Sequence, residues 1–216
     1  MAYVMTYTTL IADLQAYIAR GYPTDPTVYA QLPHLIAMAE KGINRTIKPQ
    51  GFEVYVTSAF IASASGAVIQ KPDRWRETFF WSMGTGTGYA TRKTIFPRPL
   101  PFLRDYWPDS TQLGEPKYYS DYGFQNFIVA PSPALAYPFE LGYYELLQPL
   151  DDNNMTNWLT KYAPDLLLFG TLLQAVPFLK NDERIPTWQQ MYGQAVSTLM
   201  TEDARKLMDK SQSNRE

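Results

Sequence analysis

The sequence predicts an α+β chain in which N- and C-terminal helices form one bundle and a β-rich insertion projects from between them. Three observations lead there. Apolar residues recur at helical spacing near both ends. They alternate with polar residues in the middle, and prolines and glycines divide the middle into short segments. The expected organisation is residues 1–51 as N-terminal helices, 52–150 as the β-rich insertion, and 151–216 as the C-terminal helices with a terminal tail. A chain of 216 residues, 45% of them hydrophobic, can bury a substantial core without disulfide or metal staples.

The first helix starts at Thr8 or Thr9, whose hydroxyls suit a helix N-terminus. Leu10, Ile11, Leu14, Tyr17 and Ile18 share one face of it, and Gly21 and Pro23 end it. Asp25 and Pro26 open a short helical turn. Pro33 follows too soon for one continuous helix, so a second helix is expected over 33–47, turning Leu35, Ile36, Met38, Ala39, Ile43 and Ile47 to the core. Past Pro49 and Gly51 the pattern changes to alternation, with a strand over 53–60. Segments 77–83 and 89–96 read as the two arms of a hairpin whose tip is the glycine run 84–88. A short helix over 102–107 and strands over 124–129 and 137–144 complete the middle. Asn157 or Thr156 caps a short helix, and Ala163, Pro164 and Asp165 open an apolar helix interrupted at Pro177. A last helix starts at Asp182 or Pro186 and runs toward Met208, with a loose polar tail from Ser211.

Composition removes several chemistries. There is no cysteine, hence no disulfide, thiol nucleophile or thiolate-bound metal. His34 is the one histidine, which leaves a Ser-His-Asp triad a single possible base and a zinc site a single imidazole. The glycine run lacks the Lys-Ser/Thr of a phosphate-binding loop and precedes a strand, so it reads as a turn. Asp151, Asp152, Asn153 and Asn154 resemble the start of a calcium loop, but Tyr162 stands where the bidentate glutamate belongs. The expectation is therefore no catalytic residue, no cofactor and no metal. No run reaches the length of a membrane span, and the N-terminus lacks the basic and apolar regions of a signal peptide.

Net charge is −2, but its distribution is uneven. Residues 71–104 hold seven cations (Lys71, Arg74, Arg76, Arg92, Lys93, Arg98 and Arg104) against Asp73 and Glu77. Residues 105–165 hold nine acids against Lys117 and Lys161. Two solvated faces would explain this. The sharper expectation is that Arg74, Arg76, Arg92, Lys93 and Arg98 meet acids on neighbouring copies of the chain. Aromatics lie between these cations, which also allows weak contact with nucleic acid.

The order of motifs carries a resemblance. Asn157-Trp158-Leu159, the run from Ala163-Pro164-Asp165 through Leu172-Leu173-Gln174-Ala175, then Pro177-Phe178-Leu179-Lys180-Asn181-Asp182-Glu183-Arg184 and Trp188-Gln189 resemble head-to-tail adaptor (connector) proteins of short-tailed bacteriophages. Tyr106-Trp107-Pro108-Asp109, Pro116-Lys117-Tyr118-Tyr119 and Ala130-Pro131-Ser132-Pro133 are similar to the same family. So are Tyr7-Thr8-Thr9-Leu10, Leu32-Pro33, Ala39-Glu40 and Ile43-Asn44-Arg45.

The resemblance implies a virion structural protein at the portal vertex, assembled in the bacterial host cytoplasm. It implies a ring, usually of twelve copies, that docks under the portal protein and continues the channel for genomic DNA. It also implies a seat for the downstream tail, nozzle or tail-fibre protein. In such adaptors the C-terminal segment extends onto the portal, which here points to Arg205, Lys206, Leu207, Met208 and Lys210. The alternatives are another tail-tube or baseplate subunit, a DNA-packaging accessory using the basic 71–104 stretch, and, among enzymes, a tail-associated hydrolase.

Overall fold

The computed structural model describes residues 4–18, 26–85, 91–179 and 182–213. The chain is α+β and divides into two compact units, one from residues 1–52 and 147–216, the other from 53–146.

The first unit is helical. Helix α1 (Tyr7–Ile18) buries Tyr7, Leu10, Leu14 and Ile18, a stripe with steps of three and four residues. Its cap is Thr6, not Thr8 or Thr9. The Thr6 hydroxyl accepts the Thr9 N–H at 3.2 Å, and the Thr9 hydroxyl accepts the Thr6 N–H at 2.8 Å. Helix α2 (Pro26–Thr46) is continuous through Pro33, where the sequence predicts a break. Val28 and Leu32 before the proline are buried together with Leu35, Ile36, Ala39 and Ile43 after it. That shared apolar face offsets the hydrogen bond the proline removes.

Helix α3 (Leu100–Tyr106) belongs to the second unit; here α4 (Trp158–Tyr162) leads into α5 (Pro164–Gln174), which packs against α1, α2 and α6 (Ile185–Ser213). The apolar run of α5 is therefore central, with Leu166, Leu167 and Leu172 fully enclosed. Gly170 admits the neighbouring helices closely: a β-carbon there would sit 3.2 Å from the Tyr192 ring and 3.5 Å from Ile43. A 3-10 turn (Val176–Phe178) follows α5 at the proline the sequence marks as an interruption. Helix α6 extends to Ser213, beyond the expected loose tail from Ser211. An established helix adds residues at little cost, and Glu202 and Lys206 are spaced to support each other across one turn.

The second unit has ten strands among the described residues: β1 (Glu53–Ala59), β2 (Val68–Gln70), β3 (Trp75–Thr85), β4 (Thr91–Thr94), β5 (Phe96–Pro97), β6 (Leu113–Gly114), β7 (Tyr118–Tyr122), β8 (Asn126–Ala130), β9 (Ser132–Pro133) and β10 (Pro138–Glu145). One sheet has the order β1-β10-β3-β4 and the other β2-β8-β7-β5. Strands β6 and β9 form a small parallel pair.

The hairpin arm expected over 89–96 is shorter in sheet terms. Only β4 pairs with β3; β5 then joins the second sheet, parallel to β7. Buried Ile95 lies between them and donates its N–H to Trp81 O at 2.9 Å. Residues 86–90 of the glycine-rich tip lie outside the described residues.

The core of this unit lies between the sheets. Trp81, Met83, Phe139, Leu141 and Tyr143 come from one layer, and Phe127 and Val129 from the other. Chain entry and exit are adjacent, since Glu53 pairs with Tyr144 across β1 and β10. Such an arrangement suits an insertion.

Candidate partner-binding surfaces

The helical unit is tied by two polar clamps, both involving residues of the motifs quoted above. Glu40, on α2, is only 3% exposed. Its carboxylate accepts the Asn157 side-chain amide at 2.6 Å and the Leu150 N–H at 3.3 Å. Burial holds the Glu40 carboxyl above its ordinary pKa, and the two hydrogen bonds partly oppose that. Asn157 also caps α4, accepting the Thr160 N–H at 3.2 Å while Thr160 accepts the Asn157 N–H at 2.9 Å.

The second clamp is Arg184. Its guanidinium holds the buried Asp182 carboxylate by two bonds of 2.9 and 2.7 Å. It also donates to the carbonyls of Tyr17 at 2.6 Å and Ile18 at 3.0 Å, the last two residues of α1. A cation at a helix C-terminus interacts favourably with its dipole. The guanidinium carbon lies 5.1 Å from the centre of the Trp188 ring. The Asp182-Glu183-Arg184 and Trp188 motif is thus a device that fastens α1 to the start of α6.

Gly51 belongs to the same unit and has a steric role. A β-carbon at this position would overlap the Trp158 indole, which packs edge-on against Phe52 at 5.2 Å. Gly51→Ala is expected to lower stability by about 1–3 kcal/mol, the range for overpacking, read as a shift in urea midpoint with an unchanged slope.

In the β unit, part of the charge complementarity is met within one chain. Four acids of the 105–165 stretch pair with four cations of the basic stretch. Lys71 pairs with Asp121 at 2.6 Å, Arg74 with Glu145 at 2.7 Å, Arg92 with Glu140 at 3.0 Å and Lys93 with Glu115 at 2.6 Å. The topology explains two of these pairs: β3 lies between β10 and β4, bringing Glu140 beside Arg92, and the turn before β3 meets the end of β10.

Lys71 is the least solvated of these cations. Its ammonium lies 3.8 Å from the Trp75 ring centre and 4.9 Å from that of Phe127. Arg74 sits at φ 55°, in the left-handed region; Leu146 donates its N–H to the Arg74 carbonyl at 2.7 Å, which helps hold that conformation. Arg76 is half-buried in β3. Arg98 lies 5.7 and 5.8 Å from the Phe102 and Tyr118 ring centres.

The other sequence candidates are placed as follows. His34 is exposed on α2. The Asp151 carboxylate closes its own turn, accepting the N–H groups of Asn153 and Asn154 at 2.7 Å each. Among the described residues no group of three or more His, Cys, Asp or Glu is placed to hold a metal ion, and no helix is long and apolar enough to cross a membrane.

On α6, Leu199 is the last buried side chain among those described, and Asp203 is half-buried, accepting the Gln50 N–H. Ala204, Arg205 and Lys206 are exposed, and the helix continues through Leu207, Met208 and Lys210 to Ser213.

A search of curated proteins gives no match. A family model described as SU10 adaptor protein matches residues 5–215, nearly the whole chain and both units. The match takes in the clamp residues Glu40, Asn157, Asp182, Arg184 and Trp188, and the chain belongs to the SU10 adaptor protein family, a phage head-to-tail adaptor family.

Proposed function

We propose that the chain is a virion structural subunit, a head-to-tail adaptor that forms a ring of twelve copies beneath the portal protein. In this reading the ring continues the channel through which genomic DNA passes and seats the next tail, nozzle or tail-fibre component. The chain acts by assembly at the portal vertex, following assembly in the host cytoplasm, and not as an enzyme. The family match over residues 5–215 carries the reading.

Helix α6 supports the portal-docking part. Past Asp203, ten helical residues (204–213) span about 15 Å at the usual rise. The sequence of this stretch combines the cations Arg205, Lys206 and Lys210 with the apolar residues Leu207 and Met208, a composition suited to a protein partner.

The purified chain is expected to form rings, alone or with its portal. Native mass spectrometry that finds only monomers with portal present would overturn the reading. Removing residues 204–216 is expected to leave the thermal midpoint of the helical unit unchanged and to reduce co-sedimentation with portal at least tenfold. The truncation starts after Asp203 because that carboxylate is tied to Gln50. Unchanged co-sedimentation would refute the docking role of the segment.

A further inference from the structure

Strand β1 is a long edge that, among the described residues, has no further strand paired to it, and its one charge, Glu53, lies at its start. Its seven residues pair one-to-one with β10 from Glu53↔Tyr144 to Ala59↔Pro138, with no bulge. They include no lysine, arginine, proline or glycine, and Tyr55, Thr57, Ser58 and Ala59 are exposed. Proteins normally blunt such an edge with charge, proline, a bulge or a covering segment, because it is a template for another strand. An edge left open along this length fits a strand-adding partner.

The same sheet indicates which strand fits. Its order is β1-β10-β3-β4, and every neighbouring pair is antiparallel. Strand β4, at the other margin, therefore runs opposite to β1. A copy placed alongside, with its β4 next to β1, continues the antiparallel alternation without reversing either molecule. The contact is head-to-tail, the type that closes a ring.

We propose that β1 of one copy accepts β4 of the next copy as an added strand, so that this sheet continues from subunit to subunit around the assembly. The inference rests on the ring reading above and names the surface by which the copies meet. Affinity comes from main-chain hydrogen bonds, and the antiparallel alternation of the sheet sets the direction of the added strand.

Thiol cross-linking tests it. The chain has no cysteine, so introduced thiols are unique. Thr57 and Thr94 are exposed and lie at the two ends of one cross-sheet row, Thr57↔Glu140↔Ser82↔Thr94. Three strand spacings separate them, about 14 Å. That is beyond the roughly 7 Å reach of a disulfide, so a bond joining them must link two molecules.

The double variants Thr57→Cys/Thr94→Cys and Tyr55→Cys/Thr94→Cys sample two registers on that face. After assembly with portal and mild oxidation, at least one is expected to give a ladder of covalent oligomers on a non-reducing gel. The single variants give no ladder. Wild-type rings by native mass spectrometry, with both double variants covalently monomeric, would overturn this inference and leave the ring reading standing. Covalent dimers from Thr57→Cys alone would place β1 against β1 and overturn the head-to-tail pairing. Absence of wild-type rings with portal present would overturn the ring reading itself, and this inference with it.

Discussion

Trp81→Ala is expected to destabilise the β unit by about 3–5 kcal/mol, the range for losing a buried tryptophan. Trp81 is 1% exposed and lies at the centre of the unit. Its ring is 4.8 Å from Tyr119, 5.1 Å from Phe127, 5.7 Å from Phe139 and 6.2 Å from Phe60. Two of these rings belong to the opposite sheet, so the cavity would open between layers that cannot collapse together without moving their strands. The backbone at Trp81 also accepts the Ile95 N–H, which orders the crossover between sheets. Phe79→Ala, two positions away and 39% exposed, is the control and is expected to cost less than half as much. Guanidinium unfolding followed by near-ultraviolet circular dichroism reads both; equal losses would show that the core is not organised about Trp81.

Replacing Glu40 has the second largest expected effect, and its sign depends on what replaces it. Glu40→Leu leaves the Asn157 amide and the Leu150 N–H without their acceptor. Two stranded buried donors at roughly 1–3 kcal/mol each, offset in part by relief of the carboxylate's desolvation, give an expected net loss of about 2–4 kcal/mol. Glu40→Gln retains an acceptor oxygen and carries no charge to desolvate.

The pH dependence separates these contributions. In the folded chain the Glu40 carboxyl titrates above its ordinary value of 4.5, because burial disfavours the anion. The folded state then binds more protons than the unfolded state, and the stability this contributes is complete below 4.5. It is lost as pH rises through the raised folded value. Glu40→Gln is therefore expected to lack this loss, gaining on the wild type as pH rises from 4 toward 8 in thermal melts. Parallel melting curves for the two proteins across that range would exclude a raised Glu40.

Local chemistry made much of this fold legible. The Ala163-Pro164-Asp165 start of α5, the Asn157 cap and the stripe Leu10, Leu14, Ile18 all signal through residues within one or two turns of each other. Pro33 misled for a related reason: its cost is local, whereas the compensating burial of Val28 and Leu32 depends on tertiary packing. The first cap was misplaced by two or three residues because Thr6, Thr8 and Thr9 all have the chemistry for it.

The clamps were recognisable only as motifs. Arg184 reaches α1 carbonyls 166 and 167 residues away, and Glu40 meets Asn157 across 117. No periodicity encodes such distances. Charge polarity along the chain was legible, but the pairs it forms within one chain were not. Separations of 71 residues for Arg74–Glu145 and 48 for Arg92–Glu140 become contacts only once the strand order is known.

The segment that leaves one sheet at Thr94 and enters the other at Phe96 has a mechanical consequence. Only Ile95 separates the two memberships, and it is 1% exposed. The layers are stitched by a single residue too short and too buried to act as a hinge. A shearing load on one sheet passes straight to the other, through backbone and not through side-chain friction. Slippage then requires releasing strand pairs on at least one side of the stitch. Amide protons of β3 and β7, one strand from each layer, should consequently exchange in the same opening event.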